Sequence, residues 1–175
     1  MMPTPTHLRN LVSRADSIAD ESALEAALRC PCGSEGFRLM FPGETHQHAK
    51  EPIPCVASIE GEHFFLVRAD CASCGEGHVL LDQDFHGWNG WVCRDSAQAA
   101  LPRPSLSVWS CLSCTSESHS ARVTIQTEGK EDFVDEAGDA FDSERWFDGF
   151  GYFQLGIACL QCEKATPEWV GLETM

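Results

Sequence analysis

Phe65-Leu-Val-Arg-Ala-Asp-Cys71-Ala-Ser-Cys74 and Phe153-Gln-Leu-Gly-Ile-Ala-Cys159-Leu-Gln-Cys162 are the two stretches that decide the fold of this chain. In each, apolar side chains alternate with others and run into a Cys-x-x-Cys pair. Phe65, Val67 and Ala69 precede Cys71 at the offsets by which Phe153, Leu155 and Ile157 precede Cys159. Alternation with period two is the pattern of a half-buried strand. Working outward, each stretch has an earlier partner pair, Cys30-Pro-Cys32 in the first half and Cys111-Leu-Ser-Cys114 in the second. Four thiolates in two close pairs are the ligand set of a tetrahedral structural zinc site, which fills every position with protein atoms. The expected sets are Cys30, Cys32, Cys71 and Cys74 for one ion, and Cys111, Cys114, Cys159 and Cys162 for a second. Iron, or disulfide and redox chemistry, are the other uses such pairs serve.

The segments around the pairs repeat as well. Phe37, Leu39 and Phe41 alternate after the first pair of the first half, and Val123 and Ile125 do so within Arg122–Gln126 after the first pair of the second. His78–Asp82 and Glu168–Glu173 supply a closing strand in each half. The order knuckle, strand, loop, strand, knuckle, strand thus occurs twice, an internal duplication. Leu101-Pro-Arg-Pro-Ser105 marks the boundary, because its prolines interrupt regular hydrogen bonding. The expected units are residues 30–100 and 101–175. Residues 1–29 read as a helical arm of two short helices. Thr6 would cap His7–Ala15, and Ser22-x-x-Glu25 has the form of a capping box ahead of Ala23–Arg29.

On these knuckles and strands the chain resembles the zinc-ribbon (rubredoxin-like) fold group, twice over, from about residue 28 to the C-terminus. The resemblance implies a small, mainly-β, metal-stabilised fold of antiparallel strands. The Cys30-Pro-Cys-Gly-Ser opening also looks like a SEC-C motif, but the later Cys and His of that motif are missing.

Charge limits the function. The formal net charge is −15, the 12 basic residues are scattered, and no two are adjacent. Each closed four-thiolate zinc centre adds about −2. Nucleic-acid binding depends on Lys and Arg neutralising phosphates, so the usual partner of zinc ribbons is not expected. The expected partner is a protein, one of basic surface by charge. No signal peptide and no membrane-spanning run is read, and the expected location is the cytoplasm.

Two segments are candidates for partner contact. Asp82-Gln-Asp84-Phe-His86-Gly-Trp88-Asn-Gly-Trp91 combines acids, an imidazole and paired indoles; its plain alternative is a turn whose Trp residues cover a small core. Glu128–Asp148 sets nine acids, among them Asp132, Asp135, Glu136 and Asp139, against Lys130 and Arg145. Phe133, Phe141, Trp146 and Phe147 interleave with them. Acid–base chemistry at His86 is the enzyme alternative, and a transcription-linked ribbon is the nucleic-acid one. No phosphate loop, nucleophile elbow or His-Glu-x-x-His helix is present to recruit a known catalytic mechanism. Cys55 and Cys93 are expected to be buried inert thiols. A further metal site from His46, His48, Cys55 and His63 has irregular spacing.

Overall fold

A computed structural model describes residues 2–42, 56–59, 62–93, 103–138 and 143–174. The N-terminal helical arm is not what forms. After a short 3-10 turn at Thr6–Leu8, the chain makes an antiparallel hairpin of β1 (Val12–Ala19) and β2 (Ala23–Leu28). The supposed capping box is its turn. Asp20 takes the amide hydrogens of Ser22 and Ala23 on Oδ1, at 2.8 and 2.6 Å, and its own N–H donates to the Ala23 carbonyl at 3.0 Å. Those two amide bonds hold the Asp20 carboxyl below its ordinary range. Leu24 and Leu28, four apart, also satisfy period two with Ala26 between them, and all three are buried. Helix-favouring Ala and Glu residues are overruled because β2 has a strand edge to join.

That edge belongs to the second half. The remaining strands are β3 (Phe37–Phe41), β4 (Val56–Ile59), β5 (Glu62–Cys71), β6 (Gly77–Asp82), β7 (Ser107–Val108), β8 (His119–Gln126), β9 (Tyr152–Cys159) and β10 (Ala165–Glu173). They join in one antiparallel ten-stranded sheet that curls into a half-barrel. Its main path runs β1-β2-β8-β3-β5-β4, with β6 on β5, β7 on β3, and β9 and β10 continuing from β8. The alternating runs after and before the knuckles are strands as expected, with β3 and β9 burying every second residue.

The two halves exchange strands about a pseudo-twofold. Within the first half β3 pairs β5 and β5 pairs β6; within the second β8 pairs β9 and β9 pairs β10. The strand leading into each first knuckle crosses over instead. β2 pairs β8 through Ala27↔Arg122, and β7 pairs β3 through Val108↔Met40. Phe37 faces His119, and each stands five residues past the last cysteine of its own first knuckle. Equivalent residues meet on the axis, as in an isologous contact between two copies. The Leu101–Ser105 boundary itself lies partly outside the described residues.

One apolar cluster lies beneath both halves. Leu24 and Leu28 of the hairpin, Phe37, Leu39, Val67 and Leu81 of the first half, and Val123, Ile125, Phe153 and Leu155 of the second all belong to it. Each such large side chain contributes about 1.5–3 kcal/mol on burial. Between β8 and β9 the chain forms α1 (Lys130–Ala137) and a 3-10 segment at Ser143–Asp148. Phe133, Trp146, Phe147 and Phe150 from this stretch are buried. At this cluster an aromatic trio of Phe41, Trp109 and Trp169 joins the halves, with ring centroids 5.4 to 6.3 Å apart.

Candidate metal centres

Each first knuckle is a tight turn after a strand. Cys30 N–H donates to the Ser34 carbonyl and Cys111 N–H to Ser116, both at 2.8 Å. Each second knuckle closes with Cys71 N–H on Glu76 and Cys159 N–H on Lys164, at 2.8 and 3.0 Å. All four knuckles turn out through a left-handed residue. These are Gly33 at φ +92° and Gly75 at φ +76° in the first half, and Thr115 at φ +61° and Glu163 at φ +59° in the second. Glycine takes that conformation freely, whereas a side chain costs roughly 1–2 kcal/mol there. The second half therefore holds its knuckles under strain that the first avoids.

The turns bring the sulfurs together as the spacing implied. Cys30 and Cys74 are 3.6 Å apart, Cys32 and Cys71 3.6 Å, Cys111 and Cys162 3.6 Å, and Cys114 and Cys159 3.5 Å. A disulfide needs about 2.05 Å, so these pairs are not bonded. A tetrahedron with Zn–S bonds of about 2.3 Å has edges of about 3.8 Å, close to what is observed. All four ligand atoms of each quartet lie within 4.8 Å of one another, so both quartets can hold a metal ion.

The local electrostatics suit a cation. Burial pushes the Cys71 thiol up, but amide hydrogens of Cys74 and Ser73 and the neighbouring thiols outweigh it and bring it down to about 6. The Cys162 amide chiefly brings Cys159 down to about 6 as well. Burial pushes Cys30 up to about 12. The Ser116 amide pulls Cys114 down, yet burial and three neighbouring thiols carry it up to about 12. In each quartet some sulfurs ionise readily while others resist, because like charges crowd together; a dication among them lets all four ionise.

The two centres differ in what stands beside them. In the first, Glu76 Oε2 is 4.0 Å and His78 Nε2 3.7 Å from Cys30 Sγ. In the second, the same places after the knuckle carry Lys164 and Thr166. The spacing of the cysteines did not single out His78 or Glu76 as neighbours of the metal. Their signal was position: Glu76 stands two residues past Cys74, just ahead of β6, and His78 four residues past it, on that strand.

The other candidates have definite places. Asp82 and Asp84 face Arg103, whose guanidinium lies 3.2 Å from Asp82 Oδ2 and 2.7 Å from Asp84 Oδ2. His86 is stacked on His7, and its Nδ1 accepts the Asp82 amide hydrogen at 3.0 Å. Burial first, and the nearby His7 ring second, lower His86 to about 3. A base that weak has little capacity for proton transfer near neutrality. Trp88 and Trp91 both pack on Phe133, with ring centroids at 5.7 Å. Trp146 is in the core, whereas Asp132, Asp135 and Glu136 are exposed on α1. Asp139 lies outside the described residues, as do Phe141, His46, His48 and Cys55. Cys93 departs from expectation. It is exposed, because it follows the π-helical turn Trp88–Val92 and lies beyond the Trp–Phe133 packing. Among the described residues no helix is long and apolar enough to cross a membrane. Comparison with protein-family models, curated proteins and solved structures finds no match to this chain.

Proposed function

We propose that the chain is a non-catalytic interaction protein in which two zinc ribbons, each closed by four thiolates, support an acidic surface that docks a basic protein. The observation that carries the metal part is the pair of sulfur quartets at tetrahedral spacing on equivalent knuckles. Zinc suits them because it prefers thiolate ligands and takes four of them without an open position. Cobalt substitution tests this. Intense sulfur-to-cobalt charge-transfer absorption should grow through at least about the first two equivalents, by the four-ligand rule. Absorption lacking thiolate character would end the reading.

The docking part rests on charge. A formal −15 disfavours nucleic acid, and α1 presents Asp132, Asp135 and Glu136 to solvent while Phe133 fastens the helix to the core. Such a surface steers a basic partner and makes association salt-dependent. A lysine-rich peptide should bind more weakly as salt rises. The triple variant Asp132→Asn, Asp135→Asn, Glu136→Gln should lose roughly tenfold in affinity, since exposed pairs contribute about 0.2–1 kcal/mol each. Binding to duplex DNA at physiological ionic strength, with the peptide ignored, would favour a transcription-linked ribbon instead.

A further inference from the structure

We infer that the first centre takes a second metal ion beside the first, bridged by the Cys30 thiolate and held by Glu76 and His78. The inference rests on the four-thiolate reading above and adds to it. Cys30 Sγ, Glu76 and His78 each offer a ligand atom, and the three atoms lie within 4.8 Å of one another. An ion with bonds of about 2.3 Å to sulfur and 2.0–2.1 Å to imidazole nitrogen sets those ligands about 3.5 Å apart in a tetrahedron. The Cys30–His78 separation of 3.7 Å is close to that, and the Glu76 carboxylate at 4.0 Å needs only a small side-chain adjustment. A thiolate already bound to one zinc keeps lone pairs for another.

The donors are carried on fixed backbone. Glu76 has its carbonyl tied to the Cys71 amide at 2.8 Å, and His78 sits in the β5–β6 ladder opposite Ala69. Glu76 stands immediately ahead of β6 and His78 is its second residue, and both reach the same sulfur. Arg68, whose guanidinium lies against Gly77 between them, is paired with Asp70 at 2.7 Å. Charge favours the extra cation, since four thiolates around one dication leave about −2 and Glu76 adds another unit. Thiolate, imidazole and carboxylate together suit zinc. With three protein donors the fourth position is left to water, so this ion should exchange faster than the enclosed ones. The second half is an internal control. At the corresponding places Lys164 puts an ammonium and Thr166 a hydroxyl, a combination that repels a cation.

The test is metal content of the full chain at equilibrium with a buffered, fixed free-zinc concentration, with no stripping step. Wild type should carry about three ions per chain, and His78→Ala and Glu76→Gln about two, by the ligand count above. Cobalt-loaded His78→Ala should keep the thiolate charge-transfer intensity of two four-sulfur centres, which shows that both quartets are folded and filled. Thr166→Ala should leave the content at three. Two ions in wild type and in His78→Ala alike would overturn the third ion while leaving the two quartets intact. Three ions in both would place the extra ion elsewhere and also overturn it. Fewer than two in wild type would remove the quartet reading and this inference with it.

Discussion

Cys159→Ser should unfold the entire sheet, and not the second half alone. A structural zinc contributes about 10–16 kcal/mol of apparent binding free energy in small zinc-finger peptides, whereas whole domains are stable by only about 5–15 kcal/mol. Losing one centre is therefore enough to exhaust the stability of anything coupled to it. The coupling is in the topology. β8 leaves the second centre, and β2, which leads into the first, is bonded along it from Ala23↔Gln126 to Ala27↔Arg122. β7 is bonded to β3 in the same sense. Leu24, Leu28, Val123 and Ile125 then share one buried cluster. Melting of the β8–β9 half leaves β2 with β1 as its partner and exposes that cluster. Thermal unfolding of Cys159→Ser should show one transition, lowered by tens of degrees or absent, with sheet circular dichroism and tryptophan emission changing together. Two transitions, one at the wild-type temperature, would mean that the halves fold independently. A chelator should reproduce the result in the wild-type chain.

That coupling was not legible in the sequence, although most of its parts were. Alternation at Phe37–Phe41 and Phe153–Ile157 survives as strands because a half-buried strand needs only a local period. The ligand quartets were legible for a similar reason, since Cys-x-x-Cys fixes a short turn whatever surrounds it. Pairing between strands far apart in sequence has no local signature, so β2 lying on β8 could not be read. That nonlocal edge also misled the N-terminal reading. Ala23-Leu-Glu-Ala-Ala-Leu28 favours helix by propensity, and Leu24 with Leu28 fits a helical face as well as a strand. The two-residue β7 was too short to register. In Glu128–Asp148 the acids of α1 are exposed, but Phe133, Trp146 and Phe147 are anchors of the core and Asp148 is buried with them. Composition shows that a segment is amphipathic and does not show which way its rings point.

Acid should destabilise the fold through His7 and His86, starting well above the pH at which carboxylates protonate. The rings stack at 3.8 Å with a 10° interplanar angle. His7 Nε2–H donates to the Leu80 carbonyl at 3.1 Å, and His86 Nδ1 accepts from the Asp82 amide at 3.0 Å, which requires His86 to be a neutral imidazole. Burial lowers His7 from 6.5 to about 4, with the Leu80 bond opposing it. Burial and the His7 ring lower His86 from 6.5 to about 3, with Asp148 opposing. Asp148 is already committed to the Thr6 amide and hydroxyl, at 2.6 and 2.7 Å, and to Arg145. It has little left to offer an imidazolium. Both values lie below that of an exposed histidine, so the unfolded chain binds more protons between pH 6.5 and about 3–4. The stabilisation is whole above 6.5 and is lost as pH falls through that window, at up to about 1.4 kcal/mol per unit for each ring. Melting temperature should thus drop steeply from pH 6.5 to 4.5 in wild type. The double variant His7→Gln, His86→Asn keeps a donor for Leu80 and an acceptor for Asp82 but does not titrate, so its decline should be shallower. Protonation of the metal-binding thiolates affects both proteins alike and cancels in the comparison. Superimposable pH profiles would show that the pair carries no acid sensitivity. A shallower profile in the double variant would place it in this stack, which pins the N-terminal turn to the β6 side of the sheet.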